Sequence, residues 1–215
     1  MEIHGVDKNI ANVLATGSTG NCEIYHRTIA IDMGVPWSVI KPYLFDLQII
    51  LLSHCHTDHF NISTIKRLAS QRPTLRFACG EWMLPLLYGI KNVDVLDLNK
   101  WYDYGQFKIS IGHSYHDVPN CFFRIEKNGY KIFRATDTAH LIGVEAKEYQ
   151  LYCLESNYNE ETVFESISRI ENRGEYAYQR GAVNSHLSEQ QAREFIFKNK
   201  GDNYSIVRLH EHSIV

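Results

Sequence analysis

The stretch that most constrains this chain is His54-Cys55-His56-Thr57-Asp58-His59, directly after the apolar run Leu47-Gln48-Ile49-Ile50-Leu51-Leu52. A short apolar run bounded by polar residues reads as a buried strand. A buried strand that ends in H-x-H-x-D-H delivers three imidazoles and a carboxylate to one sheet edge. Four candidate metal ligands thus fall within six residues. That density exceeds what one mononuclear site needs and points to two metals side by side. Ligating histidines must be neutral and aspartates ionised, which is the ordinary state of both near pH 7. Cys55 lies between the ligands; an alternating geometry turns it away from them, and it is expected to pack.

The chain has 215 residues, enough for one domain with a sizeable core, so 1–215 is expected to form a single domain. Its formal net charge is -3, and no basic block stands out. A protein that grips duplex DNA mainly through phosphates is usually more basic. An anionic substrate must therefore meet local positive charge, which bound metal provides. Cys22, Cys55, Cys79, Cys121 and Cys153 form no C-x-x-C pair, which favours free thiols in a reducing compartment over a disulfide framework. Met1 to Asp7 lacks the basic start and apolar stretch of a signal peptide, and no run approaches the length of a membrane span. The expectation is a cytoplasmic protein that does not enter a membrane.

Strands are expected at Ile10–Leu14, Glu23–Tyr25, Thr28–Asp32, 47–53, Thr74–Cys79, Val93–Leu98, Phe107–Gly112, Cys121–Glu126, Tyr130–Ala135 and Tyr204–Leu209. Asn128-Gly129 is a hairpin signal. Helices are expected at 36–45, Asp58–Ala69, Trp82–Tyr88, Glu160–Asn172 and Ser188–Asn199, where Ser188-Glu189-Gln190-Gln191 has the form of a capping box. Strands that interleave with helices throughout predict a layered α/β domain. Thr16 to Asn21 reads either as a tight turn or as a source of backbone N–H groups for a phosphate. Tyr176, Tyr178 and Arg180 read either as base-stacking groups or as a packed tyrosine-rich loop.

Further matches lie in order along the chain. Asp32 ends Ala30-Ile31-Asp32; His116 sits in Ser114-Tyr115-His116-Asp117-Val118-Pro119; Asp137 sits in Ala135-Thr136-Asp137-Thr138; His210 follows Ile206-Val207-Arg208-Leu209. With His54-x-His56-x-Asp58-His59, these motifs resemble the metallo-β-lactamase-fold hydrolases. Gly17-Ser18-Thr19-Gly20-Asn21-Cys22, Thr136-Asp137-Thr138, Leu154-Glu155-Ser156-Asn157 and His186-Leu187-Ser188 are similar to the WalJ/YycJ-like branch, related to ribonuclease Z. Tyr158-Asn159 departs from that branch, which usually has His-Asp there.

The resemblance implies a four-layer αβ/βα sandwich and two divalent metal ions, zinc first and manganese second. His54, His56 and His116 are assigned to one metal, Asp58, His59 and His210 to the other, and Asp137 bridges. His212 competes with His210 as the last ligand, and His113 with His116. Two divalent cations, two carboxylates and a bridging hydroxide leave such a centre net positive. A pair of ions roughly 3.5–4 Å apart suits clamping a phosphodiester oxygen and activating water for in-line attack. Glu155 and His186 match a pair implicated in protonating the departing alkoxide; a carboxylate bonded to imidazole raises the His pKa and suits a general acid. Asp32 is read as fixing the ligand loop by hydrogen bonds.

The expected function is therefore a dinuclear metal-dependent phosphodiesterase or nuclease acting on a nucleic acid or nucleotide. The spacing from His116 to Asp137 leaves no room for a large inserted arm that holds tRNA. The alternatives are a hydrolase of a cyclic nucleotide, thioester or lactone, and a metal-binding module without turnover.

Overall fold

Strands β1 (Ala11–Ala15), β2 (Cys22–Tyr25), β3 (Ile29–Ile31), β4 (Ile49–Leu52), β5 (Arg76–Cys79) and β6 (Val93–Val95) make one six-stranded sheet in chain order. β1, β2 and β3 pair antiparallel, and β3 to β6 pair parallel. β4 is buried at every position and sits between two parallel neighbours, Ile31 pairing with Leu51 and Leu52 with Cys79. Parallel strands covered on both faces read as unbroken apolar runs, and Ile49 to Leu52 is one. Because β3 and β4 run the same way, Asp32 and the 54–59 segment emerge at one edge. Such carboxyl ends are where open α/β sheets place their ligand sites.

The computed structural model describes residues 6–173 and 179–210. They form two compact units. One runs to Tyr102 and takes in Ser110–Gly112; the other holds Asp103–Ile109 and continues from His113. In the first unit, Ile50, Leu52, Ile65, Leu68 and Phe77 belong to one buried cluster. Its first helix, α1 (Trp37–Ile40), is shorter than the expected 36–45 and passes into a 3-10 turn at Lys41–Tyr43. α2 (Ile62–Gln71) starts four residues later than expected, because His59 and Phe60 N–H both bond back to the His56 carbonyl and Asn61 caps the helix through Thr64 N–H. Glu81–Leu87 is a 3-10 rather than an α-helix. Pro85 removes an N–H there that an α-helix would use.

Gly34 shows how tightly the ligand loop is built in. Asn21 N–H bonds the Asp58 carbonyl at 2.6 Å, and Gly34 N–H bonds the Asn21 carbonyl at 2.9 Å. A Cβ on Gly34 would lie 1.6 Å from the Asp58 carbonyl oxygen. Gly34→Ala is expected to destabilise the protein by about 1–3 kcal/mol, the usual cost of overpacking, and to shift the loop that carries Asp58. Thermal unfolding checks this, and a melting midpoint equal to the parent's would refute it.

A second sheet takes the order β12-β11-β10-β9-β8-β7. Its strands are β7 (Trp101–Asp103), β8 (Lys108–Ser114), β9 (Asn120–Lys127), β10 (Tyr130–Ala135), β11 (Leu151–Glu155) and β12 (Ser205–Leu209). Asn128 (φ 52) and Gly129 (φ 78) close the β9–β10 hairpin as the Asn-Gly signal requires. β10, β11 and β12 run parallel, so the segments after Ala135, Glu155 and Leu209 leave the sheet at one edge. Helices α3 (Glu160–Glu171), α4 (Gln179–Ser185) and α5 (Glu189–Asn199) complete the second unit. The capping box at Ser188 is present. Phe122, Phe133, Tyr152, Leu154, Leu187 and Phe195 form part of that unit's core. β7, β11 and α4 were not among the expected elements.

All five cysteines are free thiols. Four are buried, but Cys55 is exposed, which corrects the expectation that it packs. It lies past the end of β4 in an irregular segment, where a side chain turned from its neighbours meets solvent rather than a second layer.

Candidate metal centre

In the first unit the donors are organised by Asp32. This carboxylate is fully buried at the end of β3, in a left-handed conformation (φ 56). Its Oδ2 lies 2.7 Å from His59 Nδ1. Its Oδ1 accepts from Ser53 N–H at 2.9 Å and from Ser53 Oγ–H at 2.7 Å. Ser53 Oγ, its proton committed to Asp32, accepts from His54 Nδ1–H at 2.9 Å. A carboxylate has no proton to give, so both rings carry hydrogen on Nδ1 and a lone pair on Nε2. Nε2 is the atom each presents to a cation.

Asn21 holds the other side of the same group. Gly17 N–H donates to Asn21 Oδ1 at 2.8 Å, which orients the amide. Its Nδ2 then lies 2.8 Å from His59 Nε2 and 3.2 Å from Asp58 Oδ2. The Asn21 N–H occupies the His59 Nε2 lone pair, so a cation bound there would displace that hydrogen bond. The His54 ring lies 4.9 Å from His56 and 4.3 Å from His59, centroid to centroid. Thr16–Asn21 therefore is a turn whose buried asparagine steadies two candidate ligands, a role the sequence reading missed. The quoted Gly17–Cys22 pattern was the only signal for it.

In the second unit, Glu155 is the fully buried hub. It accepts from Leu187 N–H at 2.6 Å, from Asp137 N–H, and from His186 Nδ1 at 3.0 Å. Burial pushes its carboxyl above the usual range, and the His186 hydrogen bond opposes that shift. Asp137 Oδ1 lies 3.4 Å from His186 Nδ1 and 3.8 Å from His210 Nε2. Asp137, Glu155, His186 and His210 offer ligand atoms within 4.8 Å of one another. Asp137 (φ 53) and His210 (φ 50) are left-handed, like Asp32. Such backbone costs about 1–3 kcal/mol per non-glycine residue and clusters where function over-determines the chain.

His116 Nδ1 donates to the Ser185 carbonyl at 3.1 Å, leaving Nε2 beside Asp117 Oδ1 at 3.1 Å. Burial lowers the His116 pKa, against the pull of Asp137 and Asp117, and the neutral ring is the form that ligates. His113 is exposed, on the other side of the strand alternation from Ser114. His210 Nδ1 meets the Asn157 amide at 3.1 Å. The same Asn157 Nδ2 donates to the His210 carbonyl at 3.3 Å, which fixes the amide with its NH₂ toward Nδ1. His212, Tyr176 and Tyr178 lie outside the described residues. Arg180 is exposed and forks onto Glu171. Tyr158 is buried with Val163 and Ile167, while Asn159 caps α3; the departure from the branch pattern thus begins a helix.

The donor chemistry fits divalent metal. Imidazole nitrogens and carboxylate oxygens are ligands that zinc and manganese both accept. In each unit, groups that could only accept a hydrogen bond from Nδ1 hold part of that set in its ligating form.

No family model matches the chain. Over 100 residues it is 25% identical to the mouse (Mus musculus) cytidine monophosphate-N-acetylneuraminic acid hydroxylase, a stretch covering 42% of this chain and 17% of that protein. The inactive human (Homo sapiens) counterpart is 25% identical over 104 residues, 44% of this chain and 21% of that one. Among solved structures, the metallo-β-lactamase fold protein YhfI from Bacillus subtilis superposes with a TM-score of 0.69 at 16% identity, over 95% of this chain and 87% of that one. The short form of human tRNase Z gives 0.63 at 15% identity, over 94% and 92%. Zinc-bound PqqB from Methylobacterium extorquens gives 0.63 at 9% identity, over 94% and 88%. Two sheets, their helices and this likeness make the chain a metallo-β-lactamase fold.

Proposed function

We propose that this chain is a metal-dependent phosphodiesterase, a nuclease acting on DNA or RNA, and that 1–215 works as one domain whose two donor groups serve a single dinuclear centre. On this reading His54, His56 and His116 hold one ion, Asp58, His59 and His210 the other, and Asp137 is shared. Zinc is the proposed ion. The bound ions would supply Lewis-acid charge to a phosphate oxygen and an acidified water as nucleophile. The observation that carries the reading is the Asp32 network, which holds His54 and His59 with Nδ1 protonated and Nε2 as a lone pair. A merely structural histidine pair has no need of that arrangement.

Proton supply to the leaving group falls to His186. Glu155 holds its Nδ1 at 3.0 Å, so a protonated ring carries its transferable hydrogen on Nε2. His186→Ala is expected to lower kcat for an alkyl phosphodiester by about 10²–10⁴-fold, the usual range for general acid catalysis. Bis-p-nitrophenyl phosphate, whose phenolate leaves without a proton, should be affected far less. Equal losses on both substrates would assign His186 a structural role.

The same assay tests the function. Metal-loaded protein should cleave oligonucleotides and lose that activity in excess chelator; cleavage that persists rules the reading out. A cytoplasmic setting is proposed from the free thiols. Among the described residues no helix is long and apolar enough to cross a membrane. A nucleotide-sized substrate is the second reading. It is favoured by the partial likeness to enzymes named for a cytidine monophosphate sugar.

A further inference from the structure

We propose that Tyr115 is a base-stacking residue, and that it takes the nucleobase next to the scissile phosphate; this rests on the phosphodiesterase reading. Tyr115 immediately precedes His116, so the two Cα atoms are about 3.8 Å apart. A base on its ring would sit within a nucleotide's length of a phosphate held at His116. Tyr115 is 44% exposed, yet its ring is not loose. His140 packs against it with ring centroids 4.0 Å apart and 35° between planes, and His113 meets it edge-on at 4.8 Å.

Its backbone is fixed from both sides. Tyr115 N–H donates to Thr138 Oγ1 at 2.9 Å, and its carbonyl accepts from Ala139 N–H at 2.7 Å. Thr138 Oγ1 in turn donates to the His140 carbonyl at 3.0 Å. The segment carrying Asp137 is thereby fastened to the segment carrying His116, with the tyrosine at the join. An accessible aromatic already immobilised loses little entropy when a ligand stacks on it. Stacking tolerates any base.

Calorimetric titration of metal-loaded protein with AMP and with ribose 5-phosphate tests the proposal. The two share the phosphate and differ in the base. The parent should prefer AMP by roughly 5- to 100-fold, the range of one base–aromatic stack. Tyr115→Phe should keep the preference, Tyr115→Ala should abolish it, and His140→Ala should weaken it. Equal affinity of the parent for both compounds, or an undiminished preference in Tyr115→Ala, overturns the assignment. A parent that prefers AMP in this way but hydrolyses no diester supports the stacking site while removing the phosphodiesterase reading.

Discussion

Alanine at Asp58 or at His116 is expected to lower phosphodiester hydrolysis by about a thousandfold or more, with the fold intact. The magnitude follows from the several kcal/mol of transition-state stabilisation that a bound metal supplies, each 1.36 kcal/mol being tenfold in rate. Neither change should unfold the chain. Asp58 is partly exposed, and Asn21 keeps Gly17 O and His59 Nε2 as partners without it. His116 gives up its bond to the Ser185 carbonyl and its contact with the exposed Asp117 carboxylate. The two residues belong to different compact units, which makes the pair informative. If both serve one centre, the double variant should be no worse than the poorer single variant, because residues acting as a unit are not additive. Losses that multiply would mean that the two residues contribute to the rate independently rather than as a unit. Metal content by mass spectrometry should fall in each single variant, and circular dichroism should match the parent.

Parts of this architecture are written locally and parts are not. β4 is legible because an unbroken apolar run ends in ligands, and the β9–β10 hairpin because Asn-Gly meets the positive φ of its turn. α5 is legible because both halves of its capping box are side chains three residues apart. β11 was missed although every residue in it is buried. Four apolar residues and a glutamate cannot be told from a helix fragment by periodicity, and only the parallel partners β10 and β12 make Leu151–Glu155 a strand. β7 is three residues at a sheet edge, too short to carry a pattern. At the candidate site, the sequence pattern picked out His54, His56, Asp58 and His59 by type and spacing, with His116, Asp137 and His210 named by the family resemblance. It could not find Asn21, whose amide reaches Asp58 and His59 across 37 and 38 positions of sequence. The Asp137 turn shows the same limit: its φ of 53 is maintained by Glu155 and Asn120, neither adjacent in the chain.

Asp32→Asn is expected to weaken metal binding by about 10- to 100-fold, the usual effect of altering a group that orients a ligand, while leaving all proposed ligands in place. Asparagine matches aspartate in size and tolerates the left-handed backbone at this position. The change therefore isolates the hydrogen-bonding pattern. An amide oxygen can serve only one side of the network. If it faces Ser53, the amide NH₂ faces His59 Nδ1, which must then accept, and the ring proton moves to Nε2. There it opposes the Asn21 amide at 2.8 Å, a donor against a donor, and the lone pair for metal is gone. If the oxygen instead faces His59, Ser53 N–H and Oγ lose their acceptor inside the protein, at about 1–3 kcal/mol for a buried unsatisfied group. Both outcomes destabilise, and the first also disarms His59. Competition with a chromophoric chelator reads the affinity. Thermal unfolding with and without metal reads the coupling, since a ligand at free concentration L that binds only the folded state stabilises it by RT ln(1 + L/Kd). The metal-induced rise in melting temperature should shrink in Asp32→Asn relative to the parent. A variant that binds metal as tightly as the parent would show that the buried carboxylate does not set the tautomers of His54 and His59.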